Sequence, residues 1–475
     1  MRNLTLLTDL YQLTMMEGYL QCGTHQKTAV FDLFFRPKGE INYAVFAGLQ
    51  QAAEYIEDLH VDGEDLDYLK SLNCISQAFL DKLKGFRFTG EIYSVREGEM
   101  VFPYEPIVVV RAPLFEAQLV ETALLNILNH QTLIATKAAR VTSVAGDNVM
   151  EFGLRRAQGP DAGIYGARAA MIGGCNGTSN VLAAKMFGIP PKGTHAHSFV
   201  MSFDSELEAF RAYAESYPDN CLLLVDTYDT LRSGVPNAIK VFDELRKKGH
   251  EPVGIRLDSG DLAYLSKKAR KMLDEAGYPK AVICASGDLD EVSIASLKSQ
   301  GACIDSWGVG TKLITSESVP SLGGVYKMAE IEDGGVMRPV IKISENPAKI
   351  TNPGFKKIWR IYGKEGMAEA DLICLADETI DTSRPLTIFH PQETWKKTTF
   401  TDYTVRPLLE KVFEDGKLVR PLPPLSEAMA FARAERATFW DEYKRLEKPH
   451  IFKVDLSKKL FDLKNSLLEE RHATK

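Results

Sequence analysis

The chain has 475 residues, 45% of them hydrophobic and 25% charged, a balance that supports a large core and two or three domains and excludes a disordered polypeptide. A formal charge of −7 argues against binding along a nucleic-acid backbone, which needs a basic face, and leaves room for a local basic pocket that takes a phosphorylated metabolite. Seven cysteines, an odd number with no CxxC pair, read as reduced thiols in a cytoplasmic protein and argue against a cysteine-based zinc site.

The opening segment LTLLTDLYQLTMMEGYL carries Asp9 and Glu17 and lacks a small-residue cleavage site after a continuous apolar core. It predicts an amphipathic helix, neither a signal peptide nor a membrane span. TAVFDLFFRP and NYAVFAGLQ then read as strands, AGLQQAAEYIEDL as a helix, and GEIYSVREGEMVFPYEPIVVVRA as β-rich with bends at Pro103 and Pro106. Residues 1–130 are thus expected to form an α+β domain. A long helical stretch, LFEAQLVETALLNILNHQTLIATKAARVTSVA, leads into residues 131–335. There the strand candidates are VMEFGLR, the segment around GTHAHSFVM, CLLLVD, PVGIRLD, AVICAS and CIDSWGV. Asp226, Asp258 and Asp288 recur at roughly thirty residues, about one βα unit, so an α/β barrel of parallel strands is predicted, with its loops on one face. Beyond Thr311 short strands follow, GGVYKMAEI, PVIKIS, KKIWRIYG and ADLICLAD, then a charged helical tail from Ser426. Residues 336–475 are expected to return to the N-terminal domain.

Five loops carry the candidate chemistry: EFGLRRAQGPDAG, LLLVDTYDT, GIRLDSGDL, VICASGDLD and IDSWGVGTK. Arg155 and Arg156 present planar donor forks suited to a phosphate, or else form surface salt bridges. In DSGDL, Asp258 and Asp261 flank Ser259 and Gly260; the carboxylates can hold ribose hydroxyls or magnesium on a diphosphate, and the alternative is a helix N-cap. ASGDLDE repeats the pattern around Asp288. Gly308 to Lys312, GVGTK, offers backbone N–H groups, a hydroxyl and a cation to a phosphate, although its spacing is not that of a P-loop. GTHAHSF holds His195 and His197, two of nine histidines. Either can be a general base, a phosphoryl-accepting nucleophile or a satisfied structural residue, and no third ligand at zinc spacing follows.

Taken in order, LLTDLYQLTM, FDLFFRPKG, EFGLRRAQGPDAG, GTSNVLAAKMFGIPPKGTHAHSFVMSF, LLVDTYDT, GIRLDSGDL, ASGDLDE, DSWGVGTKL and GGVYKMAEI resemble the nicotinate phosphoribosyltransferase family. The resemblance implies an irregular parallel α/β barrel of the type II phosphoribosyltransferase kind, with an α+β domain built from both terminal segments. It implies conversion of nicotinate and 5-phosphoribosyl 1-diphosphate to nicotinate mononucleotide and diphosphate in NAD biosynthesis, with ATP hydrolysis coupled through a phosphohistidine. Mg²⁺ as cofactor, ATP as co-substrate and a homodimer with shared sites come with it; no nucleic-acid or membrane partner does.

Carried onto this chain, the resemblance makes His197 the phosphorylated residue and Asp226 the acceptor of its hydrogen bond, and gives His195 no role. Phe152 and Arg256 would border the pyridine ring. Asp258 and Asp288, with Ser259 and Gly260, would hold ribose and magnesium diphosphate, and Arg155, Gly308, Gly310 and Thr311 the phosphates. Tyr11 would stack on the nicotinyl ring across a dimer interface; by itself it shares one face of an amphipathic helix with Leu7. Ser179 aligns with an aspartate of the related amide-using enzymes, and a hydroxyl there donates to a carboxylate where an aspartate would repel it. Nicotinamide and quinolinate phosphoribosyltransferases are the alternatives within enzymes; the quinolinate enzymes need no phosphorylated histidine. A non-catalytic nucleotide-binding relative is the alternative outside them.

Overall fold

A computed structural model describes residues 3–39, 41–393 and 395–473. The chain divides into two compact units, Met1–Leu133 with Ser321–Lys475, and Ile134–Pro320. Among the described residues no helix is long and apolar enough to cross a membrane.

In the first unit the strand Thr28–Phe35 is buried along nearly its whole length and pairs antiparallel with Val108–Pro113 on one side and Gly324–Asp333 on the other. The strand Glu410–Glu414 joins the same seven-stranded sheet through Glu91–Ser94. Both ends of the chain therefore contribute to one sheet. The pairing of Gly324–Asp333 with Thr28–Phe35 also brings the boundary back to Ser321, ahead of the expected 335, because a strand belongs with the edge that satisfies its backbone groups. A second, six-stranded sheet is built wholly from the C-terminal segment.

The core of this unit contains a fully buried cation. Arg360 gives Nε and Nη2 to Asp371, Nη1 to Glu99 at 2.7 Å and to Glu435, and Nη2 to the carbonyl of Met100. The rings of Phe102 and Phe439 lie over it. A guanidinium without solvent is tolerated only when its planar fork is saturated in this way. Glu105, also fully buried, takes the amide of Phe102 at 2.9 Å.

The second unit has five parallel strands in the order Val149–Glu151, Ser306–Val309, Val282–Gly287, Gly254–Leu257 and Leu222–Leu224. Their apolar runs follow from burial on both faces: Val225, Ile255 and Ile283 pack with Phe242 and Leu273 from the helices Val235–Lys247 and Leu262–Glu275. The strand expected around GTHAHSFVM does not form. Thr194 and the carbonyl of His195 bond instead to Arg256, and His197–Met201 turns into a short helix. The Val149–Glu151 edge continues through isolated parallel bridges, Glu151 to Thr178 and Thr178 to Pro191.

Candidate active site

Because the five strands run parallel, their C-terminal ends share an edge, where ligands of open α/β sheets bind. Phe152, Asp226, Asp258, Asp288 and Gly310 each follow one of these strands directly or within two residues.

Arg256 is the hub. From the strand Gly254–Leu257 it donates Nε to Ser286 Oγ at 3.0 Å, Nη1 to Thr194 Oγ1 at 2.9 Å and to the carbonyl of His195 at 3.3 Å, and Nη2 to Asp258 Oδ1 at 3.3 Å. A lysine has no such fork of donors. The Ser286 hydroxyl also donates to Asp258 Oδ1. Burial pushes the Asp258 carboxyl upward, but the Ser286 hydroxyl and the Arg256 charge outweigh it and leave Asp258 below the usual carboxylate range.

His197 opens its helix with Nε2 3.7 Å from Asp258 Oδ2 and Nδ1 3.2 Å from Thr227 Oγ1. The expected bond from His197 to Asp226 is not the one formed. Asp226 Oδ2 instead accepts the amide of Asp258 at 3.0 Å and the hydroxyl of Ser259 at 2.7 Å. Successive side chains leaving a strand diverge, so Asp226 serves the neighbouring loop while Thr227 meets the imidazole.

His195 has a different role from His197. It is buried against Phe199, Phe210 and Tyr213, its Nε2 accepts the amide of Leu224 at 3.2 Å, and burial pushes its pKa down to about 4. It is a neutral structural residue that holds the strand Leu222–Leu224.

Phe152 lies across Gly308, where a Cβ would come within 2.5 Å of the ring. Its amide donates to the carbonyl of Val309 at 2.8 Å. Beneath it, buried Glu151 accepts the amide of Gly153 and the hydroxyl of Thr178 at 2.6 Å, and its own carbonyl takes the amide of Ser179 at 2.9 Å. Glu151 thus fixes both the Phe152 turn and half-buried Ser179, while burial raises its carboxyl. Sequence reasoning passed over Glu151, Thr194, Thr227 and Ser286. An acid inside the apolar run VME was the available signal for Glu151; the others are small hydroxyl residues that carry none.

Both readings of the SGDL motif hold, on different residues. Asp258 stays at the strand end in the cluster, while Asp261 caps the helix Leu262–Glu275 through the amide of Tyr264 at 3.0 Å. In the second copy Asp288 is exposed and Asp290 caps Glu291–Ser299. Lys312 Nζ is 2.9 Å from Asp290; against the opposing effect of burial, hydrogen bonds from Ser293 and Lys312 bring Asp290 down to about 2. Arg155 and Arg156 stand exposed on the turn Leu154–Arg156 with no ion pair among the described residues. Gly260 is left-handed at φ 82°, Ser259 is exposed, and Gly310 and Thr311 begin the turn Thr311–Ile314. Tyr11 belongs to the first unit, exposed on the helix Leu10–Gln21 with its hydroxyl 3.5 Å from Glu121.

No group of three or more His, Cys, Asp or Glu side chains among the described residues could hold a metal by itself. Asp258 and Asp288 end adjacent strands of the sheet, and Asp258 Oδ2 is not engaged by Ser286 or Arg256. That is the one- or two-carboxylate complement suited to magnesium that arrives on a phosphate and keeps its waters.

The family model for the nicotinate phosphoribosyltransferase N-terminal domain matches residues 6–129, and that for the C-terminal domain matches 355–464. A nicotinate phosphoribosyltransferase of Bacillus subtilis is 51% identical over 471 residues, covering 98% of this chain and 96% of its own. One from Dictyostelium discoideum is 38% identical, covering 97% and 88%. The crystal structure of human nicotinic acid phosphoribosyltransferase superposes with a TM-score of 0.86 at 32% identity, covering 97% of this chain and 99% of that one. A likeness that runs through both units, and so through the strand-end cluster as well as the terminal domains, means that the chain belongs to the nicotinate phosphoribosyltransferase family.

Proposed function

We propose that this chain transfers the phosphoribosyl group of 5-phosphoribosyl 1-diphosphate to nicotinate, giving nicotinate mononucleotide and diphosphate for NAD biosynthesis, and that ATP drives the reaction through phosphorylation of His197. The observation that carries this reading is the cluster of His197, Asp258 and Arg256 at the strand ends, inside a chain 51% identical to a nicotinate phosphoribosyltransferase.

The pyridine nitrogen of nicotinate attacks C1 of the ribose, and the C1–O bond breaks with its electron pair leaving on diphosphate. Positive charge develops on the sugar as that bond lengthens. Asp258, kept ionised by Ser286 and Arg256, offsets it from one side, while Arg155 and the backbone N–H groups of Gly308, Gly310 and Thr311 draw charge toward the phosphates on the other. Magnesium held through Asp258 and Asp288 would neutralise the departing diphosphate. In this scheme the sheet closes as an irregular barrel around the ribose.

Nicotinate would lie between Phe152 and Tyr11 of a second subunit, with Ser179 donating to its carboxylate and Arg256 adding positive charge. In the coupling step the His197 Nε2 lone pair attacks the γ-phosphorus of ATP, the bond to the bridging oxygen breaks, and ADP leaves with that electron pair. Water later cleaves the N–P bond and restores the imidazole.

The deciding experiment measures mononucleotide formation from nicotinate and from nicotinamide, each with and without ATP, together with acid-labile phosphate on the protein. ATP-stimulated product from nicotinate, with phosphate retained by the wild type and absent from His197→Ala, is expected. Product from nicotinamide would overturn the acid specificity, and phosphate retained by the alanine variant would overturn the role of His197.

A further inference from the structure

We propose that Glu151 is the positioning residue of the nicotinate subsite, the group that holds the Phe152 ring and the Ser179 hydroxyl at a fixed spacing. This rests on the reading of Phe152 and Ser179 as nicotinate contacts and adds what places them. Glu151 acts through these two residues and not on the substrate itself.

Two turns hang on this one side chain. Glu151 is fully buried at the end of the strand Val149–Glu151. Its Oε1 accepts the amide of Gly153, just past Phe152, and its Oε2 meets the Thr178 hydroxyl, just before Ser179, at 2.6 Å. The Gly153 N–H can only donate, so Oε1 is an acceptor; at Thr178 the link stands whichever of the two oxygens carries the proton. The main chain repeats the tie. Glu151 donates its amide to the carbonyl of Gly177 at 2.9 Å, and its own carbonyl accepts the amide of Ser179 at 2.9 Å.

Neither turn has slack with which to replace the carboxyl group. A Cβ on Gly153 would fall 2.5 Å from that of Ile314, so the first turn is wedged in place. In the second, the amides of Thr178, Ser179 and Asn180 are all committed: to the carbonyl of Pro190 at 3.2 Å, to the Glu151 carbonyl, and to the Thr178 hydroxyl at 3.0 Å. Asn180 also caps the helix Val181–Phe187 through the amide of Ala183 at 3.1 Å, and its Nδ2 reaches the carbonyl of Gly163 at 3.1 Å. The group that this turn has left for a ligand is the Ser179 hydroxyl, which has no hydrogen-bond partner among the described residues.

A hydroxyl is useful to a ligand only over a short range of distance and angle, so its worth depends on the main chain that carries it. Removing the Glu151 carboxyl group strands the Gly153 amide and the Thr178 hydroxyl together and releases both turns. Arg155 is less exposed to that loss. Its turn closes on itself, with the amides of Arg156 and Ala157 on the Gly153 carbonyl at 2.7 and 3.1 Å. The loss therefore falls on the pyridine substrate more than on 5-phosphoribosyl 1-diphosphate.

The test is kinetic. Glu151→Met keeps the length and removes both acceptors; the KM for nicotinate should rise about tenfold, and that for 5-phosphoribosyl 1-diphosphate less than about threefold. Glu151→Gln, whose amide oxygen still accepts from Gly153 and whose NH₂ still reaches Thr178, should stay within about threefold of the wild type, since the link and not the charge does the positioning. In the double variant Glu151→Met with Ser179→Ala the two effects on the nicotinate KM should fall short of additive, as they do when one residue acts through another. If Glu151→Met does not fold, Thr178→Val removes the other half of the link and is read in the same way. An unchanged KM for nicotinate, an equal rise in both KM values, or full additivity overturns the inference and leaves the proposed reaction standing. No mononucleotide from nicotinate in the wild type defeats that reaction and the inference with it.

Discussion

In the proposed reaction two serines that no ionisation pattern would single out act on the charges that matter. Ser286 bonds both Arg256 and Asp258 and helps hold the Asp258 carboxyl low against the upward push of burial. A group with a lowered folded-state pKa is ionised down to a lower pH, so removing a cause of the lowering moves its titration upward. In Ser286→Ala the acid limb of kcat/KM should therefore move to higher pH, which a pH–rate profile measures. In the proposed reaction Ser179 acts by contrast on the substrate. Ser179→Asp should lower kcat/KM for nicotinate at least tenfold, through like-charge repulsion, and lower it far less for nicotinamide; competition between the two substrates checks this. Both residues were written in the sequence, yet only Ser179 was readable there, because it stands in a motif with a known counterpart, whereas the partners of Ser286 lie 28 and 30 residues away on a neighbouring strand.

At the scale of elements, the apolar runs LLLV, GIRL and VICAS announced their strands, since a strand buried on both faces has no polar alternation to show. GTHAHSF misled because small residues and alternating polarity also fit a loop whose backbone groups go to a neighbouring arginine. The DSGDL ambiguity dissolved for a related reason: one aspartate ends a strand and the other starts a helix, three residues on. The Phe152 turn and the Gly308 strand are matched by steric need, with no room between ring and backbone for a methyl group. Gly308→Ala should displace the Phe152 ring, raise the KM for nicotinate severalfold and lower stability by about 1–3 kcal/mol, as overpacking does; kinetics and urea unfolding report the two effects separately.

For the molecule as a whole, the two ends of the chain meet in one compact unit whose interior holds Arg360 among several carboxylates. Glu105 is one of them, and burial, reinforced by the neighbouring charge of Asp371, holds its carboxyl well above the ordinary value. The folded protein therefore retains a proton that the unfolded chain releases near pH 4.3, about the free glutamate value. The stability linked to Glu105 is full below that pH and is lost as pH rises toward the folded-state value. The urea midpoint should accordingly decline as pH rises above the free glutamate value, and Glu105→Gln, which cannot ionise, should flatten that decline. The change from long βα units to short strands beyond Thr311 was legible in the sequence. The membership of Gly324–Asp333 was not, because strand pairing over some three hundred residues leaves no local trace.

Local chemistry was enough to identify the five loops, the candidate nucleophile and the family, because strand burial and loop composition are properties of contiguous residues. The hydrogen-bond partners were not: that Thr227 and not Asp226 meets His197, that Asp226 clamps Ser259, and that Arg256 ties Thr194 to Asp258 depend on side-chain directions set by the twist and register of neighbouring strands. Such a hydrogen bond is a relation between positions far apart in the chain, and only folding brings those positions within hydrogen-bond reach of each other.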